Sequence, residues 1–301
     1  MGTMSLFTLG AASINGTTLE GIQNHSLNPG IDLYQNRGGG AIDPSFVAGR
    51  QMMSVASITT TDVADVLTIC GGLKPAALSS TAVLWFFKKV QGAAFSSSSD
   101  HVSLTINDGI VVPRRISASH KGEATVELDV LATWDGSHDP YVYAAASMPA
   151  SSQVVGSKYT LGPIKLGSSC YQCQSWEIDT NMQIFHDGHS GEPFPRLASV
   201  TERDIRATIT TRDLALIDTV GETGSSQTSA TLWLRKLTQR SLTPVAETTE
   251  QHISFVFGSA FAYNGTVRAD VGGEATQEII LCSEWNGTDE PCVVDTTAAI
   301  K

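Results

Sequence analysis

The chain has 301 residues, with 30 acidic side chains against 19 Lys and Arg, a formal net charge of −11 and 5 cysteines. This balance argues against tight electrostatic binding of nucleic acid, the lack of any run of about 18 apolar residues argues against a membrane span, and the uncharged opening MGTMSLFTLGAAS does not read as a secretory signal. Cys70, Cys170, Cys173, Cys282 and Cys292 are odd in number and never fall on matching positions of the two halves described below, so free thiols made in a reducing compartment are expected, not a disulfide framework.

Abundant Thr, Ser, Gly, Val and Ile favour strands. Asn15-Gly16-Thr17 has the letters of a glycosylation sequon, as do Asn264-Gly265-Thr266 and Asn286-Gly287-Thr288, but Asn-Gly is also a turn signal between strands. Residues 35–50 (NRGGGAIDPSF at their start) form a long Gly/Pro loop. A short helix is predicted over 61–67, opened by Thr61 and Asp62 and stopped by Gly71. Strands follow at 81–90 and at Val102, Leu104 and Ile106, separated by a Ser-rich loop at 92–100. Next, Val126, Leu128, Val130, Ala132 and Trp134 share one face while Thr125, Glu127, Asp129 and Thr133 share the other, Leu131 being the exception. Residues 141–160 are small and polar and read as a linker. The second half repeats the sequence of elements: a loop at 186–201 (DGHSGEPFPRL within it), a strand through Ile205, Ala207 and Ile209, a helix over 211–217 with Gly221 behind it, and strands at 229–238, at Ile253, Phe255 and Phe257, and at Gln277, Ile279 and Leu281. The tail after Pro291 is expected to be poorly ordered unless it docks.

The repetition is measurable. Residues 101–140 align with 252–291 without a gap and share 11 of 40 positions, among them Gly122-Glu123-Ala124-Thr125 with Gly273-Glu274-Ala275-Thr276, and Trp134 with Trp285. Residues 31–70 align with 182–221 with 9 of 40 identical, including Pro44/Pro195 and Asp62/Asp213. Chance gives roughly two or three matches per forty at ordinary residue frequencies. Leu84-Trp85-x-x-Lys88 also recurs as Leu232-Trp233-x-x-Lys236. The expectation is a mainly β protein with two tandem homologous β-sandwich or barrel domains, each carrying one short α-helix: residues 1–144, a linker at 145–160, and residues 161–301.

Motifs for chemistry are few. Cys170-x-x-Cys173 lacks a second pair at zinc spacing, and His186-Asp187-x-His189 has no counterpart in Gln35-Asn36-x-Gly38. His101/Glu127 and His252/Glu278 recur as pairs without a nucleophile motif, phosphate loop or metalloprotease signature nearby, so no enzyme, catalytic residue, metal or cofactor is expected. Trp85/Trp233 and Trp134/Trp285 suit core or subunit-contact roles better than ligand stacking.

The segment Trp176-Glu177-Ile178-Asp179, Phe185-His186-Asp187-Gly188, Pro193-Phe194-Pro195, Arg206 to Asp213-Leu214 and then Gly221 resembles the tail tube proteins of long-tailed bacteriophages in its order of strand, long loop, strand and short helix. The resemblance extends over most of each repeat. It implies rings whose inner β-barrel encloses the DNA channel and, for a two-module chain, a homotrimeric ring of pseudo-sixfold symmetry, stacked into the major tail tube. Implied partners are other copies, the tape measure, tube-end and baseplate proteins, and DNA passing through non-specifically. The implied place is the virion tail, assembled in the host bacterial cytoplasm, with no membrane. Glu127, Asp129, Glu278 and Glu284 are channel-lining candidates, since acidic inward groups repel phosphate. Arg37, Gly40, Pro44, His189, Pro193 and Pro195 are ring-stacking loop candidates. Rival readings are another tail part of the same fold (a baseplate hub, distal tail or tube-end protein), a secreted tandem β-sandwich binding glycans through Trp85 and Trp233, and an enzyme using the His/Glu pairs.

Overall fold

A computed structural model describes residues 6–37, 39, 42–89, 101–149, 157–188, 191–239, 243–269, 275–285 and 287–300. The chain is mainly β, with two short helices among the described residues. The first half contains β1 (Leu6–Ile14), β2 (Thr17–Leu19), β3 (Ile22–Asn28), β4 (Ile31–Asn36), β5 (Phe46–Met52), β6 (Val55–Thr60), α1 (Val63–Cys70), β7 (Ala76–Ala77), β8 (Ala82–Lys89), β9 (His101–Ile106), β10 (Gly109–Ser119), β11 (Thr125–Ala132) and β12 (Tyr141–Ala146). The second contains β13 (Tyr159–Leu166), β14 (Ser169–Tyr171), β15 (Ser175–Asp179), β16 (Gln183–Asp187), β17 (Leu197–Glu202), β18 (Arg206–Thr211), α2 (Leu214–Val220), β19 (Ser225–Gln227), β20 (Ala230–Lys236), β21 (His252–Phe257), β22 (Ala260–Arg268), β23 (Thr276–Ser283) and β24 (Val293–Ala298).

Each half contributes an outer sheet, β12-β9-β8-β1-β2 or β24-β21-β20-β13-β14, and the two halves share one long sheet of order β19-β22-β23-β18-β15-β10-β11-β6-β3, with β7 also paired to β10. The hairpins β4–β5 and β16–β17 stand apart as two-stranded sheets. One continuous apolar core lies between the long sheet and both outer sheets, with Ile58, Leu128 and Ile116 facing Leu84 and Leu104, and Ile209 and Leu281 facing Leu232 and Phe255. Trp176 on β15 meets Phe255 on β21 edge to face, ring centroids 5.5 Å apart.

Local sequence explains the recurring irregularities. Both first strands bulge, between Leu9 and Ala12 and between Leu161 and Ile164. Gly10 and Gly162 sit in these bulges because a Cβ would lie 2.2 Å from the Trp85 carbonyl oxygen and 2.6 Å from that of Trp233. Asn15-Gly16 makes the expected two-residue turn between β1 and β2, both with positive φ (52° and 80°). Asn264-Gly265 instead lies inside β22, where the register slips between Asn264 and Val267, because the strand continues through it by pairing with β23. The helices begin two or three residues later than expected, after Asp62 and Asp213, and Gly71 closes α1 in the left-handed region with φ 63°. The stretch expected as a linker from residue 141 is shorter: Tyr141–Ala146 pairs with β9, and β13 starts at Tyr159. The tail docks as β24 on β21. The Ser-rich loop at 92–100 lies outside the described residues.

Candidate assembly interface

The two halves meet strand to strand. β10 pairs antiparallel with β15 in the register Arg115·Asp179, Ile116·Ile178, Ser117·Glu177, Ala118·Trp176, Ser119·Ser175. Ile116 and Ile178 are fully buried there. The Arg115 guanidinium donates to Asp179 at 2.8 Å and stands 3.5 Å from Glu177. Its hydrogen bond to Asp179 raises the Arg115 pKa further, while burial pushes the Glu177 carboxyl up in spite of the nearby guanidinium.

Three further contacts cross the same joint. The backbone N–H groups of Met52 and Trp134 donate to the carbonyls of Pro193 (2.7 Å) and Pro195 (2.9 Å) at the tip of the β16–β17 hairpin. The Arg196 guanidinium lies 4.3 Å from the centroid of the Trp134 ring, with Phe194 beside it at 6.3 Å. The base of that hairpin covers a small second core of Val112, Leu131 and Met182, flanked by Ile110, Ile184 and Val200. This accounts for Leu131, the apolar exception on an otherwise polar face. Finally, Arg203 donates to the Leu73 carbonyl at 3.1 Å and to Glu290 at 2.8 Å, and Lys74 reaches Glu290 at 3.0 Å, tying the end of α1 to the second half.

The corresponding edges at the two ends of the long sheet have no partner strand among the described residues. β3 occupies the position of β15, and the last part of β22 the position of the last part of β10, as their registers to β6 and β23 show. On that basis Val267 corresponds to Ile116, and Leu27 to Ile178. Val267 is 64% exposed, whereas Ile116 is 0%. A β-branched residue on an open strand edge is the arrangement that monomeric β proteins avoid.

The long sheet turns one face to the core and one outward. Glu127 and Asp129 on β11 and Glu278 on β23 lie on the outward face, together with Ser57, Thr59, Ser117, Glu177, Asp179, Thr208 and Thr210. Most of these carboxylates face arginines. Asp129 accepts from Arg114 at 2.7 Å, Glu278 lies 3.5 Å from Arg268, and Asp179 holds Arg115. Arg206 starts β18 on the same face. Arg206 is paired with Asp204, so the five carboxylates meet three guanidiniums, those of Arg114, Arg115 and Arg268, and hydroxyls fill the space between. Glu284 lies beyond the end of β23, exposed, accepting from the Ser259 hydroxyl at 3.1 Å. Arg37 and Pro44 are exposed on the β4–β5 turn. Pro193 and Pro195 make the contacts between halves given above, with Pro195 buried. Gly40 and His189 lie outside the described residues.

Sequence reasoning missed Arg114, Arg115, Glu177, Asp179 and Val267. Two adjacent arginines inside an apolar strand mark a bulge, here between Pro113 and Arg115, that turns both toward one face. The recurring histidines have structural roles. His101 Nδ1 accepts from the Lys88 N–H and His252 Nδ1 from the Lys236 N–H, both at 3.1 Å, and His252 Nε2 donates to the Ala246 carbonyl. None of the five cysteines is in a disulfide, and among the described residues no three His, Cys, Asp or Glu side chains gather as metal ligands. Trp233 is buried, whereas Trp285 is 72% exposed. No protein-family model matches the chain, and no curated protein matches its sequence.

Proposed function

We propose that the protein is a non-enzymatic virion building block, the major tail tube subunit of a long-tailed bacteriophage, which closes into trimeric, pseudo-hexameric rings that stack around a DNA channel. The observation that carries this reading is the joint between β10 and β15. The chain contains one head-to-tail contact between similar halves and presents the two matching surfaces, β22 and β3, at its ends. A heterologous contact of this kind generates a ring when the rotation closes and an open filament when it does not.

Closure by three chains would join eight long-sheet strands from each, about 24 in all. At about 4.8 Å between strands and a tilt near 40°, such a barrel is roughly 50 Å across at the backbone. Its inner wall would be the outward face described above, rich in hydroxyls and with its charges largely compensated. Such a wall gives polyanionic DNA no cationic excess to bind, so the duplex passes without sticking.

Negative-stain electron microscopy of the purified full chain over a concentration series tests the reading. Closed rings with three- or six-fold class averages, or stacked tubes, are expected. A chain that stays monomeric at millimolar concentration overturns it.

A further inference from the structure

The β4–β5 hairpin carries more exposed apolar surface than a free arm warrants. Ile31 is 57% exposed, Leu33 52%, Ile42 87% and Phe46 55%. Its register matches that of β16–β17 pair for pair, Leu33·Gly49 with Ile184·Val200 and Asn36·Phe46 with Asp187·Leu197. Each turn is closed by the same bond, Ser45 N–H to the Asn36 carbonyl and Arg196 N–H to the Asp187 carbonyl, both at 2.9 Å. The second hairpin is seated on the first half; the first hairpin has no such seat among the described residues. Ile31 and Leu33 correspond to Met182 and Ile184, which cover Ile110 and Val112.

The surface matching that seat is open on the second half. The counterparts of Ile110 and Val112 are Phe261 and Tyr263, two stacked half-buried rings with centroids 6.2 Å apart. The counterpart of the Met52 and Trp134 seat is a cleft of about 480 Å³ lined by Arg203, Trp285, Thr288, Asp289, Glu290 and Pro291. Arg203 and Trp285 lie 151 positions beyond Met52 and Trp134, which hold the hairpin tip in the first half, and the other lining residues lie 151 positions beyond residues 137–140.

We propose that the β4–β5 arm of one chain clasps the second half of another copy of this chain. Ile31 and Leu33 lie over Phe261 and Tyr263, and the tip at Ile42, Asp43 and Pro44 enters the cleft beside Trp285. There the Trp285 N–H donates to the Pro44 carbonyl and the Arg203 N–H to the Ile42 carbonyl, as Trp134 and Met52 donate to Pro195 and Pro193 within the chain. The clasp rests on the ring reading, because it needs a neighbour joined through β22 and β3. It assigns this arm to contacts within a ring, not to contacts between stacked rings. Two parts of the template are absent: Asp43 stands where Phe194 lies beside Trp134, and Ser45 stands where Arg196 covers the Trp134 ring.

The test places the photo-crosslinker p-benzoylphenylalanine at Asp43 in the full chain, mixes isotopically labelled and unlabelled protein, assembles it and maps the crosslinks. Crosslinks from position 43 of one chain to residues 285–291 of another are expected. In parallel, Trp285→Ala should raise the concentration for half-assembly about tenfold, and Asp43→Phe should lower it, both without change in the melting of the monomer. Assemblies whose crosslinks fall elsewhere, or a Trp285→Ala chain that assembles at the wild-type concentration, overturn the clasp and leave the ring reading standing. A wild-type chain that never assembles overturns both.

Discussion

Residues at matching positions take different work. Asp213 caps α2 by accepting from the Ala215 N–H at 3.0 Å. Asp62 opens α1 but turns away, accepting from the Glu20 N–H at 3.0 Å in a buried setting. Burial, with smaller contributions from the nearby charges of Asp65 and Glu20, pushes its pKa up to about 6 from an ordinary 3.8. A carboxyl whose folded pKa is raised stabilises the fold fully below its unfolded pKa, and that contribution is lost as pH rises through the folded value. Stability should therefore fall between about pH 4 and pH 6 from this group. Asp62→Asn, which keeps an acceptor for Glu20, should add about 2 kcal/mol at pH 7.5 and almost nothing at pH 3.5. Urea unfolding at the two pH values measures the difference. The helix start was legible from Thr61-Asp62 and its twin. Which aspartate caps was not, because Glu20 is brought to Asp62 by strands far apart in sequence.

At the scale of elements, alternation revealed which strands exist and which face is apolar, but not their neighbours. The polar stripe Thr125, Glu127, Asp129 was readable. Arg114 and Arg115, which compensate it, were not, since a bulge one strand away decides where they point. The loops expected at 35–50 and 186–201 are largely hairpin, because β5 and β17 pair back on β4 and β16. Bulges are also where a methyl group has large effects. Gly162→Ala should cost about 2 kcal/mol or more, since its Cβ would lie 2.6 Å from the Trp233 carbonyl oxygen, a contact that only a shifted strand relieves. Thermal unfolding reads this directly. Charging the open edge should act only on association. Val267→Lys, at a position 64% exposed, should leave monomer stability within about 0.5 kcal/mol of wild type while abolishing assembly in sedimentation velocity.

For the whole molecule, the recurrence of residues at a spacing of 151 was visible in the sequence, whereas the joint that merges two sheets into one was not. The segments that form it, Arg115 to Ser119 and Ser175 to Asp179, are unlike their counterparts. The internal joint carries the Arg115–Asp179 ion pair at 2.8 Å. The matching positions on the free edges are Thr266 and Asn28, which are uncharged. Association through those edges should thus rest on backbone pairing and apolar burial and respond weakly to salt. Between 50 and 500 mM NaCl the half-assembly concentration, followed by light scattering, should move less than about threefold, whereas sulfate should lower it.

In a ring of the kind proposed, carrying one of every two contacts inside the polypeptide would also fix what can be counted. Any closed assembly built on this joint would hold an even number of halves, so five- and seven-membered circles would have no stoichiometry available to them. A bore made this way can change its calibre only in steps of two modules.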